Sequence, residues 1–216
     1  SNRAKISKVS RNERTKVTPN LSANEEILDT GCELIYYPYF LADYAISLFE
    51  SLHSELNWQT EYLSMFGKTV QSPRLMALYG DGGISYRYSG VEHKAAAWTR
   101  NLVDINQLIT QVVGQSFNSV LANLYRNGED SMGWHSDDET ELGGNPVVAS
   151  ISLGAERDFI LRNKSDTSEQ HKYNLANGSL LIMRGQTQQF WQHSLPKRKR
   201  CVEPRINLSF RQVFGQ

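Results

Sequence analysis

Apolar residues recur along this chain with two distinct periods. Leu41, Ala45, Leu48, Phe49, Leu52 and Leu56 follow the spacing of one helix face, and Trp98, Leu102, Ile105, Ile109, Val112 and Val113 repeat it ahead of Gly114. Two amphipathic helices are therefore expected, the second stopping near Gly114, where glycine accepts the left-handed conformation that ends many helices. A short strand over 36–40 precedes the first helix. Past residue 117 the period shortens. Runs at 117–125, 147–153, 158–162, 173–175, 179–183 and 206–213 have strand length, with Asn127-Gly128, Gly143-Gly144 and Asn177-Gly178 as turns between them. The expected class is α+β, mainly β: a sandwich, jelly roll or barrel with helices on one face.

Residues 1–30 are polar and poorly periodic, which predicts a flexible basic arm with at most a short helix around 24–28, followed by one domain over 31–216. A length of 216 residues suits one well-cored domain, and 39% hydrophobic with 21% charged residues describes a globular protein. The formal net charge of zero conceals a segregation, because residues 1–18 hold Arg3, Lys5, Lys8, Arg11, Arg14 and Lys16 against Glu13 alone. Such an arm reads either as a solvated tail or as a nonspecific DNA tether. Cys32 and Cys201 form no disulfide framework, so an intracellular setting is expected, cytoplasmic, or nuclear in a eukaryote. No run approaches the ~18 apolar residues of a membrane span.

The candidate chemistry lies in the strand-rich half. His135 and Asp137 are two residues apart, hence on one side of an extended segment, and His193 adds a distant second imidazole. Two imidazoles and a carboxylate make the facial triad that holds non-haem Fe(II) with coordination positions left open. Asp138 is the competing carboxylate, and the spacing favours Asp137. Zinc enzymes use the same donors. The last strand separates the two readings, because Ile206, Leu208 and Phe210 alternate there with Arg205, Asn207, Ser209 and Arg211. A zinc hydrolase has no use for two such arginines, whereas guanidinium forks grip carboxylates in bidentate fashion. At ~3.3 Å per residue their Cα atoms stand ~20 Å apart, and side chains leaning together leave room for a short dicarboxylate such as 2-oxoglutarate. Asn123 and Tyr125, on one strand face, offer an amide and a phenol to the same ligand.

Over about residues 35–214 the chain resembles the AlkB family of Fe(II)- and 2-oxoglutarate-dependent dioxygenases. The resemblance runs through Asn123-Leu124-Tyr125, His135-Ser136-Asp137-Asp138-Glu139, His193-Ser194-Leu195-Pro196 and the segment from Arg205 to Arg211. Phe66-Gly67-Lys68, Ser72-Pro73-Arg74, Tyr79-Gly80-Asp81 and Tyr86-Arg87-Tyr88-Ser89-Gly90 are most similar to the branch that works on duplex DNA. Ser209 departs from the Thr of many members, keeping the hydroxyl and losing a methyl.

The resemblance implies a double-stranded β-helix, the jelly roll in which N-terminal helices buttress one sheet and the triad sits in the open mouth. It implies Fe(II) on His135, Asp137 and His193, with 2-oxoglutarate and O₂ as co-substrates. Arg205 and Tyr125 would hold the distal carboxylate, and Asn123, Asn207, Ser209 and Arg211 would secure the other end. A nucleotide-recognition segment is expected at about 62–92. In it Tyr88 would stack on an extruded base, Tyr86 would wall the pocket, and Phe66 would fill the gap in the duplex. Glu139 would read the exocyclic amino group of the base. Lys197, Arg198, Lys199 and Arg200 suit phosphate neutralisation, with Arg74 a weaker candidate.

The implied activity is oxidative demethylation of 1-methyladenine and 3-methylcytosine in duplex or single-stranded DNA by a monomer that contacts no membrane. An RNA or protein demethylase on the same scaffold is the alternative within the enzyme class. A non-catalytic nucleic-acid-binding jelly roll is the alternative outside it.

Overall fold

The computed structural model describes residues 17–29, 31–65, 67–88 and 91–214. In chain order its elements are β1 (Asn24–Asp29), β2 (Cys32–Tyr37), α1 (Ala45–Glu55), β3 (Gln59–Met65), β4 (Lys68–Gly80), β5 (Ser85–Tyr88), β6 (Val91–Lys94) and β7 (Ala96–Ala97). There follow α2 (Arg100–Val113), β8 (Ser119–Tyr125), β9 (Met132–His135), β10 (Val148–Gly154), β11 (Arg157–Asn163), β12 (Gln170–Leu175), β13 (Ser179–Gly185), α3 (Thr187–Phe190), β14 (Trp191–Leu195) and β15 (Arg205–Arg211).

Both expected helices form, and their ends have local causes. Thr99 caps α2 by accepting from the Leu102 amide, and Gly114 closes it at φ 75°. The start of the first helical run is instead a 3₁₀ turn, Ala42–Tyr44, that feeds α1. Leu102, Ile105 and Ile109 of α2 and Ala45 and Leu52 of α1 are buried. They pack with Val120, Ala122, Ile151, Leu153, Ile206, Leu208 and Phe210, so the helices cover the apolar face of one sheet.

That sheet has nine strands, ordered β1-β2-β13-β10-β15-β8-β4-β3, with β7 on β4. A second sheet runs β12-β11-β14-β9, and β5 and β6 form a separate ribbon. The layout is the mainly β jelly roll that the strand pattern and the resemblance anticipate. One cavity is lined from both sheets, by Asn123, Arg205 and Asn207 of the larger and His135 and His193 of the smaller. On the face opposite the helices β8 and β15 thus form a polar wall, whereas Leu34, Leu181 and Met183 of β2 and β13 pack with Phe159, Leu161 and Trp191 in a second core.

One expectation is corrected. Residues 24–28 do not form a short helix; β1 pairs antiparallel with β2 at the edge of the larger sheet. Helix-favouring Glu25, Glu26 and Leu28 yield there to the open edge, whose hydrogen bonds outweigh a weak local preference. Residues 1–16 of the expected flexible arm lie outside the described residues, and its later part makes contacts. Val17 packs against the main core, and the Asn20 amide donates to the Phe40 carbonyl.

Candidate active site

His135 ends β9, His193 lies in β14, and these strands pair so that the two histidines face each other across the ladder. Asp137 follows two residues after His135. One ligand atom from each of the three lies within 4.8 Å of the others, and this is the one such group among the described residues. The His135 Nδ1 is 2.9 Å from the Gly133 carbonyl, an acceptor only, so Nδ1 carries the proton and Nε2 keeps its lone pair. Burial depresses both imidazoles, that of His193 to about 3. They are therefore neutral ligands.

Burial would raise the Asp137 carboxyl, but Arg211 and the two histidines outweigh it and hold the pKa below the usual carboxylate range. Arg211 donates to its Oδ1 from Nη2, and the His193 Nε2 is 3.5 Å from Oδ2. The Asp137 amide donates to the Gln188 side-chain oxygen at 2.9 Å, tying the ligand to α3. Asp138, 61% exposed, turns outward to Lys164, as the spacing argument requires.

Along β15 the expected alternation holds, with Arg205, Asn207, Ser209 and Arg211 lining the cavity. The Arg205 guanidinium is 2% exposed and donates to the Ser152 hydroxyl at 2.9 Å. It forms no ion pair among the described residues, its Nε has no partner among them, and burial lowers its pKa to about 10. Its carbon stands 5.3 Å from the Tyr125 ring centroid. Asn207 donates to Ser150 at 2.7 Å and accepts from Asn123 at 3.2 Å and from Ser209 at 3.0 Å.

At the Arg211 end the polar atoms are left over. The Tyr86 hydroxyl, the Glu139 Oε2, and the Nε and Nη1 of Arg211 are buried without a hydrogen-bond partner among the described residues. Burial raises the pKa of both Tyr86 and Glu139. An acid, a phenol and guanidinium donors with unused hydrogen-bonding capacity suit a polar ligand.

The sequence profile described as the 2OG-Fe(II) oxygenase superfamily matches residues 33–211. This chain belongs to that superfamily. Mouse DNA oxidative demethylase ALKBH2 is 41% identical to the oxygenase over 180 residues, covering 79% of this chain and 75% of the mouse protein. Bovine alpha-ketoglutarate-dependent dioxygenase alkB homolog 3 is 42% identical over 179 residues, 79% of this chain and 62% of its own length. The oxygenase thus spans less than two thirds of that second relative. The solved structure of OsALKBH1 is 16% identical, with a TM-score of 0.57 over 83% of this chain and 96% of that one, a likeness of fold.

The oxygenase is a dioxygenase whose metal and co-substrates are Fe(II), 2-oxoglutarate and O₂. Its residues fit them. Two neutral imidazoles and an ionised carboxylate are the donor set for Fe(II), and a buried guanidinium without a carboxylate suits a dicarboxylate.

The other expected contacts are placed unevenly. Tyr86 is buried beside Met76, Leu121, Leu142 and Val213. The backbone of Tyr88 pairs with Val91 in the small ribbon. Phe66 lies outside the described residues. Lys197, Arg198, Lys199 and Arg200 form an exposed turn after β14, with Lys197 3.4 Å from Glu129. Arg74 is the correction: it is 2% exposed, lines the cavity and donates to the Asn123 side-chain oxygen at 2.9 Å, so it is no surface phosphate contact. Its place in β4 turns it inward, alternate residues of a strand pointing to opposite faces.

Gln188, Ser150 and Ser152 were not singled out by sequence reasoning. The two serines carried a signal, alternating with Ala149, Ile151 and Leu153 inside an apolar run. Gln188 sits on a four-residue helix and carried none. No helix among the described residues is long and apolar enough to cross a membrane.

Proposed function

We propose that this oxygenase is a DNA repair enzyme that removes methyl groups oxidatively from ring nitrogens of damaged bases, of the 1-methyladenine and 3-methylcytosine type. The observation that carries the reading is one cavity holding a His-Asp-His group and a buried arginine without a carboxylate partner among the described residues, in a chain 41% identical to a DNA oxidative demethylase. When bound, Fe(II) with 2-oxoglutarate and O₂ supplies oxidation of the methyl carbon, which leaves as formaldehyde while succinate and CO₂ are the co-products.

His135, Asp137 and His193 hold the metal. The Gly133 carbonyl fixes the His135 tautomer, and the Gln188 side chain fixes the backbone that carries Asp137. Arg205 and Tyr125 take the distal carboxylate, and Asn123, Asn207, Ser209 and Arg211 line the nearer end. Binding there gives the Arg205 charge the partner that the described residues do not supply. Tyr86 and Glu139 wall the recess for an extruded base, Tyr88 stacks on it, and the basic turn at 197–200 meets phosphate. All these residues come from one chain, so a monomer suffices. Formaldehyde release from methylated single-stranded DNA, duplex DNA and RNA oligonucleotides tests the reading. Absence of release and of succinate from all three would leave only a binding protein.

Glu139→Ala is expected to depress demethylation strongly while leaving substrate-free consumption of 2-oxoglutarate largely intact. The acid lies near Tyr86 and is not one of the three metal donors, and it is suited to an exocyclic amino group. Equal loss of both readouts would show that Glu139 supports the metal site instead.

Duplex DNA is the proposed preferred substrate, and Phe66 supports that preference through its motif. It belongs to the segment joining β3 to β4, two strands paired as far as Met65 and Lys68. Extruding a base costs a few kcal/mol in a duplex and much less in a single strand. Phe66→Ala should therefore slow repair of a methylated duplex severalfold with little change on the single strand. Equal losses on both substrates would refute the gap-filling role.

A further inference from the structure

Four arginines are buried among the described residues: Arg74, Arg157, Arg205 and Arg211. Three line the central cavity, whereas Arg157 is 1% exposed and does not. It has no ion pair among the described residues, since the Asp130 carboxylate is taken by Arg126 at 2.8 Å. A cation buried without a counter-ion is unfavourable unless its donors are well used.

Both terminal nitrogens donate to main-chain carbonyls of two loops, while Nε has no partner among the described residues. Nη2 donates to Asp130 at 2.8 Å and to Pro196 at 2.7 Å, and Nη1 donates to Asn127 at 3.3 Å. Asp130 lies two residues before β9, which ends in His135, and Pro196 directly follows β14, which carries His193. Pairing of those strands is irregular beyond the histidines, shifting register before Leu195 meets Met132. Pro196 has no N–H with which to extend the ladder. One guanidinium nitrogen therefore joins both chains just past the point where their own pairing stops. The two loops also touch at Gly128, whose amide donates to Cys201 at 2.7 Å. A Cβ there would stand 1.8 Å from the Arg198 carbonyl oxygen.

The same guanidinium reaches the cavity through one aromatic ring. Its carbon is 5.8 Å from the Tyr125 centroid, and Arg205 lies 5.3 Å from that centroid. Tyr125 lines the cavity and is 4% exposed, so its ring is set by two cations, one facing the cavity and one behind it.

We infer that Arg157 is a positioning residue for the dioxygenase reaction, fixing the Tyr125 ring against the 2-oxoglutarate recess and clamping the ends of the two histidine-bearing strands. The inference rests on the proposed roles of Tyr125 and the two histidines. Arg157→Met removes charge and donors at similar length, and Arg157→Lys keeps the charge but cannot span three carbonyls.

The test is calorimetric titration of 2-oxoglutarate into Mn(II)-loaded protein, with kcat and KM measured alongside on a methylated oligonucleotide. The expected result is a Kd for 2-oxoglutarate weakened by a few-fold to about tenfold in Arg157→Met, with an intermediate value in Arg157→Lys. In a Tyr125→Leu background the effect of Arg157→Lys on that Kd should shrink, because the coupling runs through the ring. A lower melting temperature with unchanged Kd and KM in the lysine variant would overturn the inference and leave Arg157 a structural staple. Should the methionine variant fail to fold, the lysine variant and its pairing with Tyr125→Leu decide the matter. No 2-oxoglutarate binding by the unaltered protein would overturn the co-substrate roles, and this inference with them.

Discussion

His135→Ala, Asp137→Ala and His193→Ala are each expected to reduce formaldehyde release from a methylated oligonucleotide to background, and Asp137→Ala is expected to lower the melting temperature as well. The common effect follows from a site with three donors, none of which has a substitute among the described residues. The added effect follows from Arg211, which donates to the Asp137 carboxylate in a buried setting. Removing one partner of a buried pair leaves the other charge uncompensated, which costs about 3–5 kcal/mol and, for a domain of this size, on the order of 10 °C. Melting of the metal-free proteins separates the two effects. Near-normal turnover in any variant would remove the metal assignment, and an unchanged melting temperature in Asp137→Ala would remove the buried pair.

Arg205→Ala should raise the 2-oxoglutarate concentration needed for half-maximal turnover by roughly tenfold to a hundredfold, since a charge-assisted hydrogen bond is worth ~1.5–3 kcal/mol. The residue needs a partner that the described protein does not supply: it is buried, bonded to one serine hydroxyl, and shifted downward by desolvation. Saturating 2-oxoglutarate should restore much of the rate, because the metal group is untouched. An unchanged half-saturation concentration would refute the assignment.

How much of this was legible in the sequence depended on whether a residue's role is written in local spacing. The alternation from Arg205 to Arg211 survives in the fold because each side chain of a strand has one of two faces, and those faces differ sharply in polarity. His135 and Asp137 were readable for the same reason, and α2 through its capping Thr99 and terminal Gly114. β1 was misread because its partner β2 presents an open edge only once β2 is fixed against β13, far along the chain. Arg74 was misread because a lone arginine looks solvated until β4 is placed against β8 and its side chain meets Asn123. Gln188 and Arg157 act through main-chain groups, and no residue pattern records those.

β15 is central in its sheet, between β10 and β8, and its two faces answer to separate demands. Ile206, Leu208 and Phe210 belong to the packing under the helices, while Asn207 and Ser209 belong to the polar network of the cavity. Single substitutions can therefore retune chemistry or packing one at a time, and descendants of this sequence can drift on either face without forfeiting the other. A deletion or insertion of one residue has no such freedom. It would carry arginines into the apolar layer and leucines onto the ligand wall in one stroke. Within this strand the length of the segment is under tighter constraint than the identity of any one residue in it.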